Sequence, residues 1–85
     1  MKKFKWTVRD EYGLHARPVG LLVKIAGKFP CKITIAKDAK SADGKKLFSV
    51  MGLAVTKGET VEFSFDGENE DQACQEIKAF CEGNL

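Results

Sequence analysis

The chain holds one histidine, and it stands in the run Gly13-Leu14-His15-Ala16-Arg17-Pro18. A neutral imidazole offers a nucleophilic ring nitrogen near pH 7, its ordinary pKa being about 6.5. Two residues on, the Arg17 guanidinium can give charge-assisted hydrogen bonds to phosphate oxygens. Three residues on, Pro18 suits the first turn of a helix, where an amide N–H has no intrahelical partner to lose. The run therefore reads as a helix start near Ala16, with His15 at the N-cap. The amides of Ala16 and Arg17 then face outward at the positive end of the helix dipole, where an anion is favoured. An imidazole there can hold a phosphoryl group covalently on a ring nitrogen. No carboxylate–histidine–serine arrangement lies nearby, so the chemistry suits holding and passing a group better than hydrolysis. The same spacing also fits a surface histidine that merely caps a helix.

The elements that must position this run follow from hydrophobic period. Phe4, Trp6 and Val8 alternate with Lys5, Thr7 and Arg9, which predicts a strand over 3–9, and Asp10 to Gly13 form a turn-like link. From Ala16 the period changes, with Val19, Leu22, Val23 and Ala26 on one helical stripe and Gly27 and Pro30 bracketing its end. Cys31, Ile33 and Ile35 predict a second strand, and Asp38-Ala39-Lys40 a tight turn into a short third. Leu47, Val50, Met51 and Ala54 recur at helical intervals, predicting a short helix within 46–54. Alternation returns over Thr60 to Phe65, with Val61, Phe63 and Phe65 inward. Asn69 and Gln72 have the spacing of a capping box, Glu70 and Asp71 suit a first turn, and Ala73, Ile77, Phe80 and Cys81 line one face. Gly83 reads as the C-terminal cap. The order is β-α-β-β-α-β-α, an α+β class whose natural form is an antiparallel sheet with helices on one face.

Composition narrows the function further. The 85 residues make one small domain spanning 1–85, with 44% hydrophobic and 31% charged residues. A net charge of +2 is too mild to draw nucleic acid or membrane to the whole surface. No apolar run reaches the roughly 20 residues that span a bilayer, and the basic start lacks a signal-peptide core, so a cytoplasmic protein without membrane insertion is expected. Cys31, Cys74 and Cys81 are odd in number with no C-x-x-C pair, which fits buried free thiols in a reducing compartment and argues against a metal site. Phe63 and Phe65 share a face with Val61, which argues for core rather than an RNA-stacking strand.

The motif residues also bear a family likeness. The chain resembles HPr, the histidine-containing phosphocarrier of the bacterial phosphoenolpyruvate-dependent sugar phosphotransferase system. Gly13-Leu14-His15-Ala16-Arg17-Pro18 is similar to that family's phosphorylation-site motif, and the likeness extends through the Lys57-Gly58 turn over essentially the whole chain. The resemblance implies an open-faced β-sandwich, four antiparallel strands covered by three helices. It implies a carrier rather than an enzyme, with no cofactor and no metal. His15 would accept phosphate on Nδ1 from enzyme I, charged by phosphoenolpyruvate, and pass it to enzyme IIA domains of sugar transporters. Arg17 and the Ala16 amide would hold the phosphate. Partners would dock on Gly20, Leu21, Lys24, Leu47, Phe48 and Met51, an apolar patch ringed by lysines that suits an acidic partner. A monomer is expected. Leu47 and Phe48 are adjacent on a short helix, so both cannot point inward equally well.

Three positions depart from the family pattern. Many members have a regulatory serine at the start of the second helix, where this chain has Lys46, so kinase control at that position is not expected. Tyr12 replaces a small polar residue and brings a phenol near the histidine. Gly20 lies inside a helix at a cost of about 1 kcal/mol relative to alanine. A regulatory branch instead of sugar uptake would keep the same chemistry, and the intact His15-Ala16-Arg17-Pro18 run argues against a phosphate-dead interaction domain.

Overall fold

The computed structural model describes all residues from Met1 to Leu85. The elements run β1 (Lys2–Thr7), α1 (Ala16–Ala26), β2 (Lys32–Lys37), β3 (Lys40–Asp43), α2 (Leu47–Met51), β4 (Thr60–Asp66) and α3 (Glu70–Asn84). The strands form one antiparallel sheet in the order β1-β4-β2-β3, so the last strand in sequence inserts between the first two. Fold class and element order match the expectation.

Register explains why one face is apolar. Phe4 lies opposite Phe63, Phe63 opposite Ile35 and Ile35 opposite Ala42, a row crossing all four strands. The neighbouring row is Lys5, Glu62, Ala36 and Ser41. Side chains alternate faces along a strand, so the first row meets the helices and the second meets water. Phe63, Phe65, Ile33 and Ile35 are fully buried, and Phe4 stacks on Phe63 with ring centroids 4.8 Å apart. The core takes in 21 residues from Val8 to Leu85 and buries no polar or charged residue. Full burial of each large apolar side chain is worth about 1.5–3 kcal/mol. The buried Trp6 indole N–H lacks a hydrogen-bond partner, while the Arg9 guanidinium lies 4.8 Å from the ring centroid.

Helix α1 buries Pro18, Val19, Leu22 and Ala26, and α3 buries Ala73, Ile77, Phe80 and Cys81. Val23 is only partly covered. All three cysteines are free thiols. Burial pushes the Cys81 thiol up to about 12, so it has little thiolate with which to react. No helix is long and apolar enough to cross a membrane.

Several boundaries differ from the sequence reading. The first strand ends at Thr7, although Val8 still enters the core. The short helix spans Leu47–Met51, because Gly52 caps it and the chain turns through Ala54 at a φ of 52°. The Asn69–Gln72 capping box does not form. Asn69 adopts a left-handed φ of 64° that leaves its side chain without a capping bond. Glu70 Oε1 instead accepts the Gly67 N–H at 3.1 Å. Gly83 does not stop α3, which continues to Asn84 as the buried Leu85 draws the final turn inward and its N–H bonds the Cys81 carbonyl.

Candidate functional site

His15 stands at the junction of a closed loop and α1. Asp10 opens the loop: its carboxylate accepts the Tyr12 N–H at 2.8 Å, and its carbonyl accepts the Gly13 N–H at 3.0 Å. Gly13 takes a φ of 68°, a left-handed turn in which glycine bears no Cβ penalty. A Cβ there would sit 2.2 Å from the Val55 carbonyl oxygen, so the loop lies directly against residues 55–56. The Leu14 N–H bonds that same carbonyl at 3.0 Å, and the Leu14 side chain is buried beneath it. From this anchor the backbone passes through extended His15 into α1.

His15 is the N-cap, as the sequence predicts, but its side chain makes no capping bond. Its carbonyl accepts the Val19 N–H at 3.1 Å, while the amides of Ala16 and Arg17 have no backbone partner. The imidazole turns back toward the loop. Its Nε2 lies 3.6 Å from Asp10 Oδ1, and Tyr12 meets the ring edge-on with centroids 5.8 Å apart. The Tyr12 phenol, 72% exposed, thus flanks the histidine by ring contact. Arg17 is exposed on the first turn, and its guanidinium has no ion-pair or hydrogen-bond partner. The two open amides and the exposed Arg17 side chain make the start of α1 positive and rich in donors, with the His15 ring at its edge.

The support behind the loop is also charged. Lys37 Nζ ion-pairs with Glu59 at 3.1 Å and donates to the carbonyls of Leu53 and Ala54. Glu59 accepts from the Thr56 N–H and hydroxyl, at 2.8 and 2.9 Å. The Thr56 amide, followed by the Lys37 ammonium, holds the Glu59 carboxyl down at about 2. A carboxyl depressed in the folded state adds stability above its ordinary value near 4.5, and that stability is lost as pH falls toward 2. Glu59→Gln should therefore flatten the fall of unfolding free energy between those pH values, as urea titrations at a series of pH values will read.

The remaining sequence-predicted residues lie on α1 and α2, which pack against one another. Gly20, Lys24 and Leu21 are exposed, Leu21 by 48%. Phe48 is 83% exposed, while Leu47 and Met51 are half-buried, so the two adjacent apolar residues of α2 divide between surface and core. Lys46 is the exposed N-cap of α2 and makes no side-chain cap. The surface hollow lined by Lys5, Ala36, Asp38, Thr60, Val61 and Glu62 shares no residue with the histidine site.

Sequence reasoning missed three parts of this site. Asp10 was readable as a turn residue but gave no sign of reaching the histidine. Val55 and the Leu85 carbonyl, which accepts the Asp10 N–H at 3.1 Å, approach from distant parts of the chain without a local signal.

Fold and site define a small α+β domain with a half-exposed histidine at the start of its first helix, where two backbone amides are left open. Residues 2–83 match the family model described as the PTS HPr component phosphorylation site. The chain belongs to the HPr family, the phosphocarriers of the phosphotransferase system, which pass on a phosphoryl group and are not catalytic enzymes. It is 41% identical over 78 residues to the phosphocarrier protein HPr of Mycoplasma capricolum, covering 92% of this chain and 88% of that one. The crystal structure of HPr from Thermoanaerobacter tengcongensis superposes with a TM-score of 0.93 at 34% identity, covering 98% of this chain and 93% of that chain. A multiphosphoryl transfer protein of Salmonella typhimurium matches at 38% identity over 76 residues, 86% of this chain and 20% of that longer protein.

Proposed function

We propose that His15 accepts a phosphoryl group from phosphorylated enzyme I and delivers it to enzyme IIA domains of sugar transporters. One observation supports this most: the family's single motif histidine sits half-exposed beside the unpartnered amides of Ala16 and Arg17. Nδ1 attacks phosphorus as the bond to the donor's ring nitrogen breaks, and the electron pair leaves with that nitrogen. The Ala16 and Arg17 amides and the Arg17 guanidinium then meet the phosphate oxygens. Residues 1–85 act as one monomeric, cytoplasmic domain, and neither transfer needs a cofactor of its own.

Docking falls to Gly20, Leu21, Lys24, Leu47, Phe48 and Met51. An apolar ring as exposed as Phe48, beside lysines, suits a partner with an apolar centre and an acidic rim. Phe48→Ala should leave folding stability within about 0.5 kcal/mol, since nothing is uncovered. It should raise the KM for enzyme I roughly tenfold, the loss of an aromatic anchor. A Cβ at Gly20 meets open space in the free protein. Gly20→Ala should thus add about 1 kcal/mol of stability in urea unfolding, and a simultaneous rise in KM would place a partner's backbone over that residue.

The direct test incubates the protein with enzyme I of the same bacterium, Mg²⁺ and phosphoenolpyruvate and reads the intact mass. One added phosphoryl group, acid-labile, mapped to residue 15 and discharged by enzyme IIA, supports the proposal. A protein that stays unphosphorylated while enzyme I itself is charged overturns it.

A further inference from the structure

Asp10 stands apart from the residues assigned above. Its backbone is tied to Leu85 and Gly13 and its carboxylate to the Tyr12 N–H, so the group is held in place rather than mobile. The same carboxylate oxygen lies 3.6 Å from His15 Nε2, longer than a hydrogen bond but within ion-pair range. Its side chain is about three-quarters covered, so water screens the pair less than it would on an open surface.

When Nδ1 forms its bond to phosphorus and Nε2 keeps its proton, the ring becomes a cation. No positive charge exists on the neutral ring beforehand. We propose that Asp10 is a positioning residue for phosphoryl transfer, acting through His15: its fixed carboxylate stabilises the cationic ring formed when phosphate arrives. On discharge the phosphorus–nitrogen bond breaks, its electron pair returns to Nδ1, and a neutral imidazole with its Nε2 proton leaves. Keeping Nε2 protonated therefore also keeps the ring a good leaving group. A phosphate on Nδ1 would sit on the ring nitrogen other than the one that faces Asp10, so the carboxylate meets the ring and not the phosphate. The other charged groups of the loop and the elements around it are Arg9 and Glu11, which flank Asp10 in sequence, Arg17 on α1, Lys57, and the Lys37–Glu59 pair. Asp10 is the acidic group in ion-pair range of the ring. The inference rests on His15 as the phosphate carrier.

The test compares wild type with Asp10→Asn and Asp10→Ser, both neutral and both able to accept the Tyr12 N–H and keep the turn. The phosphorylated proteins are titrated by NMR at the His15 ring protons, and transfer from enzyme I is measured at varied carrier concentration. Both variants should still take one phosphate at residue 15. Their phosphorylated rings should titrate roughly half a unit to one unit lower, with kcat reduced about three- to tenfold and KM unchanged. Titration midpoints and kcat equal to wild type in a folded variant overturn the role of Asp10. Failure of wild type itself to take phosphate at residue 15 overturns the carrier reading, and this inference with it.

Discussion

Gly13→Ala is expected to destabilise the protein by about 2–5 kcal/mol, a loss with two separable causes. The backbone at residue 13 has a φ of 68°, where an L side chain costs about 1–2 kcal/mol because Cβ crowds the following carbonyl. The new methyl would also lie 2.2 Å from the Val55 carbonyl oxygen and 2.8 Å from Thr56 Cα. Both are backbone atoms, so no side-chain rotation relieves the overlap. The loop at 55–56 is itself held by Lys37 on the Leu53 and Ala54 carbonyls and by Glu59 on Thr56, and shifting it adds about 1–3 kcal/mol as overpacking does. A domain of this length has a total stability of about 4–13 kcal/mol, so the substitution removes a large share of it. Urea unfolding should show a lower midpoint at unchanged slope. A loss below about 1 kcal/mol would mean that the 55–56 loop yields freely, and that the anchor behind His15 is softer than its hydrogen bonds indicate. Phosphate uptake should fall too, since the Leu14–Val55 bond aims the backbone into α1.

What was readable in the sequence and what was not divides along a physical line. Strand alternation and helical stripes are local periods, and they placed Ile33, Ile35, Phe63, Phe65 and Ile77 in the core without tertiary information. Pro18 located the start of α1 for an equally local reason, the amide it lacks. Local rules failed where a distant contact or a backbone conformation decides. Asn69 had the composition of a cap, yet its left-handed backbone turned the side chain away and Glu70 took up the Gly67 amide. Gly83 resembled a stop signal, yet burying Leu85 favoured one more turn of α3. The histidine site shows the same division. Its histidine and helix start were visible in six consecutive residues, whereas its support comes from Val55 and Leu85, far along the chain. Asp10 and Tyr12 lie close to His15 in sequence, but turns have no period from which to predict which side chain faces the ring.

His15→Ala should abolish phosphate uptake from enzyme I while leaving the fold nearly untouched, the reverse balance to the change at residue 13. The imidazole is half-exposed and caps no helix amide. Its neighbours are the Asp10 carboxylate at 3.6 Å and the edge-on Tyr12 ring, contacts of the order of a surface pair, about 0–1 kcal/mol. Histidine without a side-chain cap offers the helix start little that alanine lacks. Unfolding free energy should therefore change by less than about 1 kcal/mol. Transfer should vanish because the remaining nucleophiles differ in kind: a serine, threonine or tyrosine ester would survive acid. The Cys31 and Cys81 thiols are buried, that of Cys81 with its pKa held at about 12, and burial raises the Cys74 thiol as well. Arg17 and the open amides would still draw phosphate oxygens, but the ring nitrogen that forms the acid-labile bond to phosphorus would be gone. Intact mass under charging conditions should thus show an unmodified, fully folded protein. An acid-labile phosphate on the alanine variant would place the carrier nitrogen outside residue 15, which no other histidine in this chain could supply.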